Sequence, residues 1–121
     1  MAIYFIQAGE AGPIKIGASW NVEARLKALS CFHYEELRLL ASADGCQMVE
    51  RELQIGFEPE LVRGEWFSPS PRLMDFIARI KAGAAMSDLL HSIGRRPKKR
   101  CRSIHCAWCK TGSYAPKPLV Y

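Results

Sequence analysis

Tyr4, Lys15, Arg25 and Glu50 are the side chains in this sequence best suited to act together on a phosphodiester. A carboxylate such as Glu50 can hold a divalent cation, an arginine can stabilise a pentacoordinate phosphate, and a tyrosine can orient or deprotonate a water. Lys15 adds a second positive group. A single carboxylate with water completing the coordination suits Mg²⁺ or Mn²⁺, hard cations that prefer oxygen, better than it suits zinc. The same residues also admit a purely structural account, in which Arg25 and Glu50 pair at the edge of the core and Tyr4 is a half-buried strand aromatic.

Each of the four falls on a different expected element. Ala2–Ala8 is rich in Ile, Tyr and Phe, Gly9 to Pro13 supplies turn residues, and Ile14 to Gly17 resumes a strand-like alternation, which together predict a β-hairpin. Alternation puts Ile3, Phe5, Ile14 and Ile16 on one face and Tyr4, Lys15 and Gly17 on the other. Asn21 can cap a helix whose Val22, Leu26 and Leu29 recur at i, i+4 and i+7, and Arg25 beside that stripe is expected to lean inward.

Residues 37–42 read as a third strand, and Asp44-Gly45 starts a turn into a second helix over 46–57. Cys46, Val49, Leu53 and Phe57 form its apolar stripe, and Glu50 projects from the margin of that stripe. A connecting segment carries Arg63-Gly64-Glu65-Trp66-Phe67. Ser70 and Pro71 then give the N-cap and first-turn proline of a third helix through Lys81, and residues 84–93 can add a short fourth. The expected class is α+β, in the order β-β-α-β-α-α. Its compact packing would converge the four polar residues.

Five short strings now stand in a definite order. Ala2-Ile3-Tyr4 and Lys15-Ile16-Gly17 occupy the places of the two signature motifs of the GIY-YIG endonucleases, and Arg25 that of the family's helix arginine. Glu50 with Leu53, Gln54 and Phe57 resembles a glutamate helix, and Arg63 to Phe67 resembles a GEWF signature. The chain thus resembles the small phage- and bacterial-type branch of that superfamily, over residues 3–80. The resemblance implies a three-stranded antiparallel sheet with flanking helices, a Tyr4 near the water nucleophile, a transition-state Arg25, and Glu50 binding one divalent cation. It departs from the pattern at Ala2 for glycine, at Lys15 for the second tyrosine, at Leu29 where homing-type enzymes keep a histidine (His33 being merely nearby), and at Gln54 for a histidine. The only asparagine is Asn21.

The net charge of +5 hides an asymmetry. Lys and Arg through Ala82 number nine against eleven Asp and Glu, whereas from Gly83 onward they number eight against Asp88 alone. A basic tail on a near-neutral domain suits a phosphate-bearing partner, foremost DNA, with an anionic membrane surface or mere solubility as the other readings. Arg95, Arg96, Lys98, Lys99, Arg100 and Arg102 are dense enough to follow a phosphate backbone without reading its sequence.

Cys101, His105, Cys106 and Cys109 offer four possible zinc ligands, although His105 next to Cys106 makes a closed site within one chain awkward. A site shared between two chains, or incidental cysteines, are the alternatives, and Trp108 and Tyr114 could stack on exposed bases. No run of about 18 uncharged apolar residues occurs, nor an N-terminal segment with the basic flank of a signal peptide, and the expected location is the cytoplasm. The expected organisation is a nuclease-like domain at 1–82, a short helix at 83–93 and a basic, flexible tail at 94–121.

The leading functional expectation is a Mg²⁺- or Mn²⁺-dependent DNA endonuclease, in a phage, mobile-element or defence setting. A catalytically weak or inactive DNA-binding module that grips through its tail is the alternative, and a regulatory factor with an acidic protein partner is the third.

Overall fold

The computed structural model describes residues 1–95. The hairpin forms as the alternation predicts: β1 (Ala2–Ala8) pairs antiparallel with β2 (Ile14–Ser19), with Tyr4 opposite Gly17, Phe5 opposite Ile16 and Ile6 opposite Lys15. The reversal between them is closed by the Ala8 N–H donating to the Pro13 carbonyl at 3.0 Å and the Gln7 amide donating to the Gly12 carbonyl at 3.0 Å. Gly9, at φ 65°, takes the left-handed conformation that a side chain resists.

Helix α1 (Val22–Ser30) starts where the Asn21 side chain accepts the Ala24 N–H at 3.1 Å. Strand β3 (Leu37–Asp44) returns along the other edge of β1, with a register shift between Phe5 and Ile6. Helix α2 (Gln47–Gly56) follows the Gly45 turn and leads into a single 3-10 turn at Glu58–Glu60. Helix α3 (Pro71–Lys81) has Ser70 as its cap, the hydroxyl accepting the Leu73 N–H at 3.1 Å. After Gly83, Met86–Ser92 forms α4.

The expected three-stranded sheet is wrong. The sheet has five antiparallel strands in the order β3-β1-β2-β5-β4, because the segment expected only to connect α2 to α3 forms β4 (Leu61–Arg63) and β5 (Trp66–Phe67). Gly64 at φ 58° lets the chain reverse between them, and β5 finds its partner on the open edge of β2, pairing Phe67 with Ile14 and Trp66 with Lys15. Strands of three and two residues carry no periodicity of their own, so nothing local distinguishes them from a loop. The order becomes β-β-α-β-α-β-β-α-α, counting α-helices and strands.

The two faces of the sheet are unequal. Ile3, Phe5, Ile14 and Ile16 meet Val49 and Leu53 of α2, Phe57, Phe67 and the buried side of α3 and α4 in the main core. Phe76 of α3 stacks near Phe5 and meets Phe57 edge-on at 5.2 Å. On the opposite face α1 lays Val22, Leu26 and Leu29 over Tyr4, Ile6, Ala8 and Leu37. The face that carries Tyr4, Lys15 and Gly17 is thereby closed into a second, smaller apolar layer. Among the described residues, no helix is long and apolar enough to cross a membrane.

Arg72 fixes the β4–β5 hairpin to the body. Its guanidinium pairs with both Glu60 oxygens at 2.9 and 3.0 Å, donates to the Gly56 carbonyl at 2.7 Å and lies over the Phe57 ring. Ser70 donates to the same Glu60 carboxylate, and these bonds hold it below the usual carboxylate range, Arg72 being the main cause.

Gly17 sits where the Tyr4 ring crosses β2, so a Cβ there would come within 2.3 Å of the Tyr4 hydroxyl and 2.4 Å of the ring. A ring only 1% exposed has nowhere to move. Gly17→Ala should therefore lower the melting temperature, at an overpacking cost of about 1–3 kcal/mol. The same substitution made on top of Tyr4→Ala should cost little, and thermal melts of the four proteins in this cycle check the coupling.

Candidate active site

The site grows from one unfinished edge. In β2, Ile14, Ile16 and Ala18 direct their backbone groups away from β1, and β5 is long enough to meet only the first part of that edge. The Ile16 N–H donates to the Glu65 carbonyl at 3.2 Å, in the turn between β4 and β5. Beyond it, helix α2 takes over the role of a strand. The Gln54 amide donates to the Ile16 carbonyl at 2.9 Å, and the Glu50 carboxylate accepts the Ala18 N–H. Buried backbone groups must find partners, and here two side chains one helical turn apart supply them.

That duty holds Glu50 half-buried. Burial pushes its carboxyl above the usual range, and the negative charge of Glu65 pushes the same way, while Lys15, the Ala18 N–H and Arg25 pull against them. The three charged residues that act on Glu50 come from β2, the β4–β5 turn and α1.

Lys15 is nearly buried. Its ammonium pairs with Glu65 at 2.5 Å and lies 5.9 Å from the centre of the Trp66 ring. Arg25 does not lean inward as its helical position suggested: it is exposed, on the flank of α1 beside a shallow pocket lined with Ala18, Ser19 and Trp20. The reason is that α1 buries no residue fully and rests on the sheet only through Val22, Leu26 and Leu29. Tyr4 is buried against Gly17 on the α1 side of the sheet. The structure thus brings Lys15 and Arg25 into electrostatic reach of Glu50, with Tyr4 on the face of the sheet that carries Lys15.

Four residues have partners that the sequence did not reveal. Glu65 and Trp66 were visible only as letters of a motif, and their alignment with Lys15 requires the β2–β5 pairing. Gln54 was read as a departure from a histidine, whereas its amide completes the β2 edge. His33, close in sequence to the absent family histidine, meets the Trp66 ring at a tilt of 48° with ring centres 5.1 Å apart. Leu29 sits in the apolar contact of α1 with the sheet.

Arg95 is engaged within the fold. Its guanidinium pairs with the buried Glu52 at 2.8 and 2.9 Å, and its side chain packs against Gly56, which docks the end of the described chain onto α2. The other tail residues singled out, namely Arg96, Lys98, Lys99, Arg100 and Arg102 with Cys101, His105, Cys106 and Cys109, lie outside the described residues, as do Trp108 and Tyr114.

The model of the T5orf172 domain family matches residues 1–82, from the start of the chain to the end of α3. No curated protein and no solved structure matches the chain.

The raised Glu50 carboxyl makes a prediction about stability. The native state binds this proton more tightly than the unfolded chain does, so charging Glu50 costs stability. That cost is absent below the ordinary carboxylate pKa and fully present once pH has risen past the folded-state value. Glu50→Gln keeps an oxygen for the Ala18 N–H and removes the charge. The variant should melt above the wild type at about pH 8, with the difference fading as pH falls to about 4. A difference that did not change across that range would show that ionisation is not its source.

Proposed function

The chain belongs to the T5orf172 domain family, a phage-associated class of DNA-binding or nuclease-like domain, and from that premise we propose that it is a divalent-metal-dependent DNA endonuclease. One observation carries the reading: Glu50, desolvated at the end of the β2 edge, is acted on by a lysine and an arginine from two other elements. A structural carboxylate on an edge needs no such company.

The donor chemistry fits a hard cation. The carboxylates that act on one another here are Glu50 and Glu65, and among the described residues no three His, Cys, Asp or Glu side chains gather closely enough to enclose an ion. Glu50 would hold Mg²⁺ or Mn²⁺ with water and substrate completing the coordination. Bound there, the cation would supply Lewis-acid polarisation of a phosphoryl oxygen.

The chain's own residues divide the remaining work. Arg25, exposed at the mouth of the site, meets the phosphate and offsets the charge that builds on it during displacement. Tyr4 would orient the attacking water through its hydroxyl, and Gly17, by lacking a side chain, makes room for the Tyr4 ring where it crosses β2. Lys15 positions the strand through its charge while Glu65 fixes its direction.

A second reading has an observation in its favour. The ammonium of Lys15 is already paired with Glu65, and Tyr4 is 1% exposed, which leaves Arg25 and Glu50 as the groups most open to substrate. A module that binds DNA without cutting it would be built this way, with the basic segment after Arg95 as its main grip.

Plasmid incubated with the full chain and Mg²⁺ or Mn²⁺ should be nicked or linearised. Glu50→Ala and Arg25→Ala should each lower the rate by about 100-fold or more. Equal activity in Glu50→Ala would remove the metal site from the reaction. Salt-sensitive binding without cleavage, indifferent to Glu50→Ala, would favour the second reading.

A further inference from the structure

At the β1–β2 turn, the α1–β3 loop and the β4–β5 hairpin bound a groove of about 420 Å³. Four aromatic rings, those of Phe32, His33, Tyr34 and Trp66, line it, with Arg63 at its hairpin side and Glu35 at its turn side. Phe32 is 89% exposed and Tyr34 is 99% exposed, on either side of His33 in one loop. Single exposed apolar residues need no explanation, but several rings lining one concavity of this size mark a binding surface.

We propose that this groove is a base-stacking subsite, which receives an unpaired nucleobase of a DNA strand. The inference rests on the DNA reading above and specifies the form of DNA bound. Every base has a π-face, so rings as open to solvent as Phe32 and Tyr34 suit bases regardless of sequence. Arg63 supplies the positive charge that a phosphate flanking the base would meet. Glu35 decides which part of the nucleotide enters: its carboxylate repels a phosphate but accepts a hydrogen bond from an amino or ring N–H of a base.

Trp66 links the groove to the candidate active site. It lines the groove, meets the His33 ring at a tilt with ring centres 5.1 Å apart, and has the Lys15 ammonium 5.9 Å from its own ring centre. A strand whose phosphate lies by Lys15 and Arg25 would therefore bring a neighbouring base to the rings. Binding a base this way requires it to leave its stack, which single-stranded or distorted DNA permits at low cost and intact duplex does not.

The test uses the full chain, with Phe32→Ala/Tyr34→Ala compared to wild type in fluorescence anisotropy on one labelled sequence, offered as a single strand and as a duplex. Both side chains are exposed, so the fold should survive, which a thermal melt verifies. Affinity for the single strand should fall about tenfold or more, and duplex affinity should change by less than about threefold. A 2-aminopurine placed in the single strand should be quenched by wild type and by Phe32→Trp, but much less by the double variant.

Single-strand affinity and quenching left intact by the double substitution would overturn the subsite while leaving DNA binding standing, as would an equal loss on both DNA forms. A wild-type chain that binds neither DNA form would overturn the subsite and the DNA reading together. Ring-dependent binding with no cleavage under any metal would sustain the subsite and remove only the hydrolytic step.

Discussion

The outer edge of β2 is the constraint on which the rest of this molecule depends. A strand inside a sheet must have its backbone groups met on both sides, and β5 is too short to meet all of β2. Helix α2 completes the edge with Gln54 and Glu50, which fixes the helix against the strand beyond the reach of β5. The Glu60–Arg72 network then anchors that short hairpin, so that Glu65 and Trp66 come to rest over Lys15. Edge satisfaction, hairpin placement and the charge cluster are one arrangement.

Charge at that edge is more than the backbone requires. An uncharged amide serves the Ile16 carbonyl, yet a half-buried carboxylate serves the Ala18 N–H, close to a second carboxylate on Glu65. Both its burial and that neighbour oppose ionisation, and Lys15 and Arg25 counter them only in part. Local destabilisation of this kind is commonly retained where a ligand, rather than the fold, makes use of the charge. The interior pair of Glu52 and Arg95 differs in kind: it is direct and docks the end of the described chain onto α2.

The two layers around the sheet differ in depth. The large layer, built on α2 and α3, holds the continuous hydrocarbon core. The small layer under α1 is thin, and so Tyr4 is buried by few residues while Arg25 remains at the surface of the same helix. Trp66 links this layer to the β4–β5 hairpin, with one ring neighbour and one cationic neighbour.

Local sequence determined the elements whose signals are local. The hairpin faces followed from alternation, α1 from the Asn21 cap and its stripe, and α3 from Ser70-Pro71, because caps and periodicity act within a turn or two of the chain. Motif order picked out Tyr4, Lys15, Arg25 and Glu50. Tertiary structure decided what these residues meet. Strands β4 and β5 exist only because β2 offers them an edge, so the sheet has five strands where the sequence indicated three. The inward lean expected of Arg25 failed because α1 presses only three apolar side chains on the sheet. Gln54, Glu65, Trp66 and His33 acquired their partners through contacts between elements distant in the chain, and no local pattern encodes such contacts.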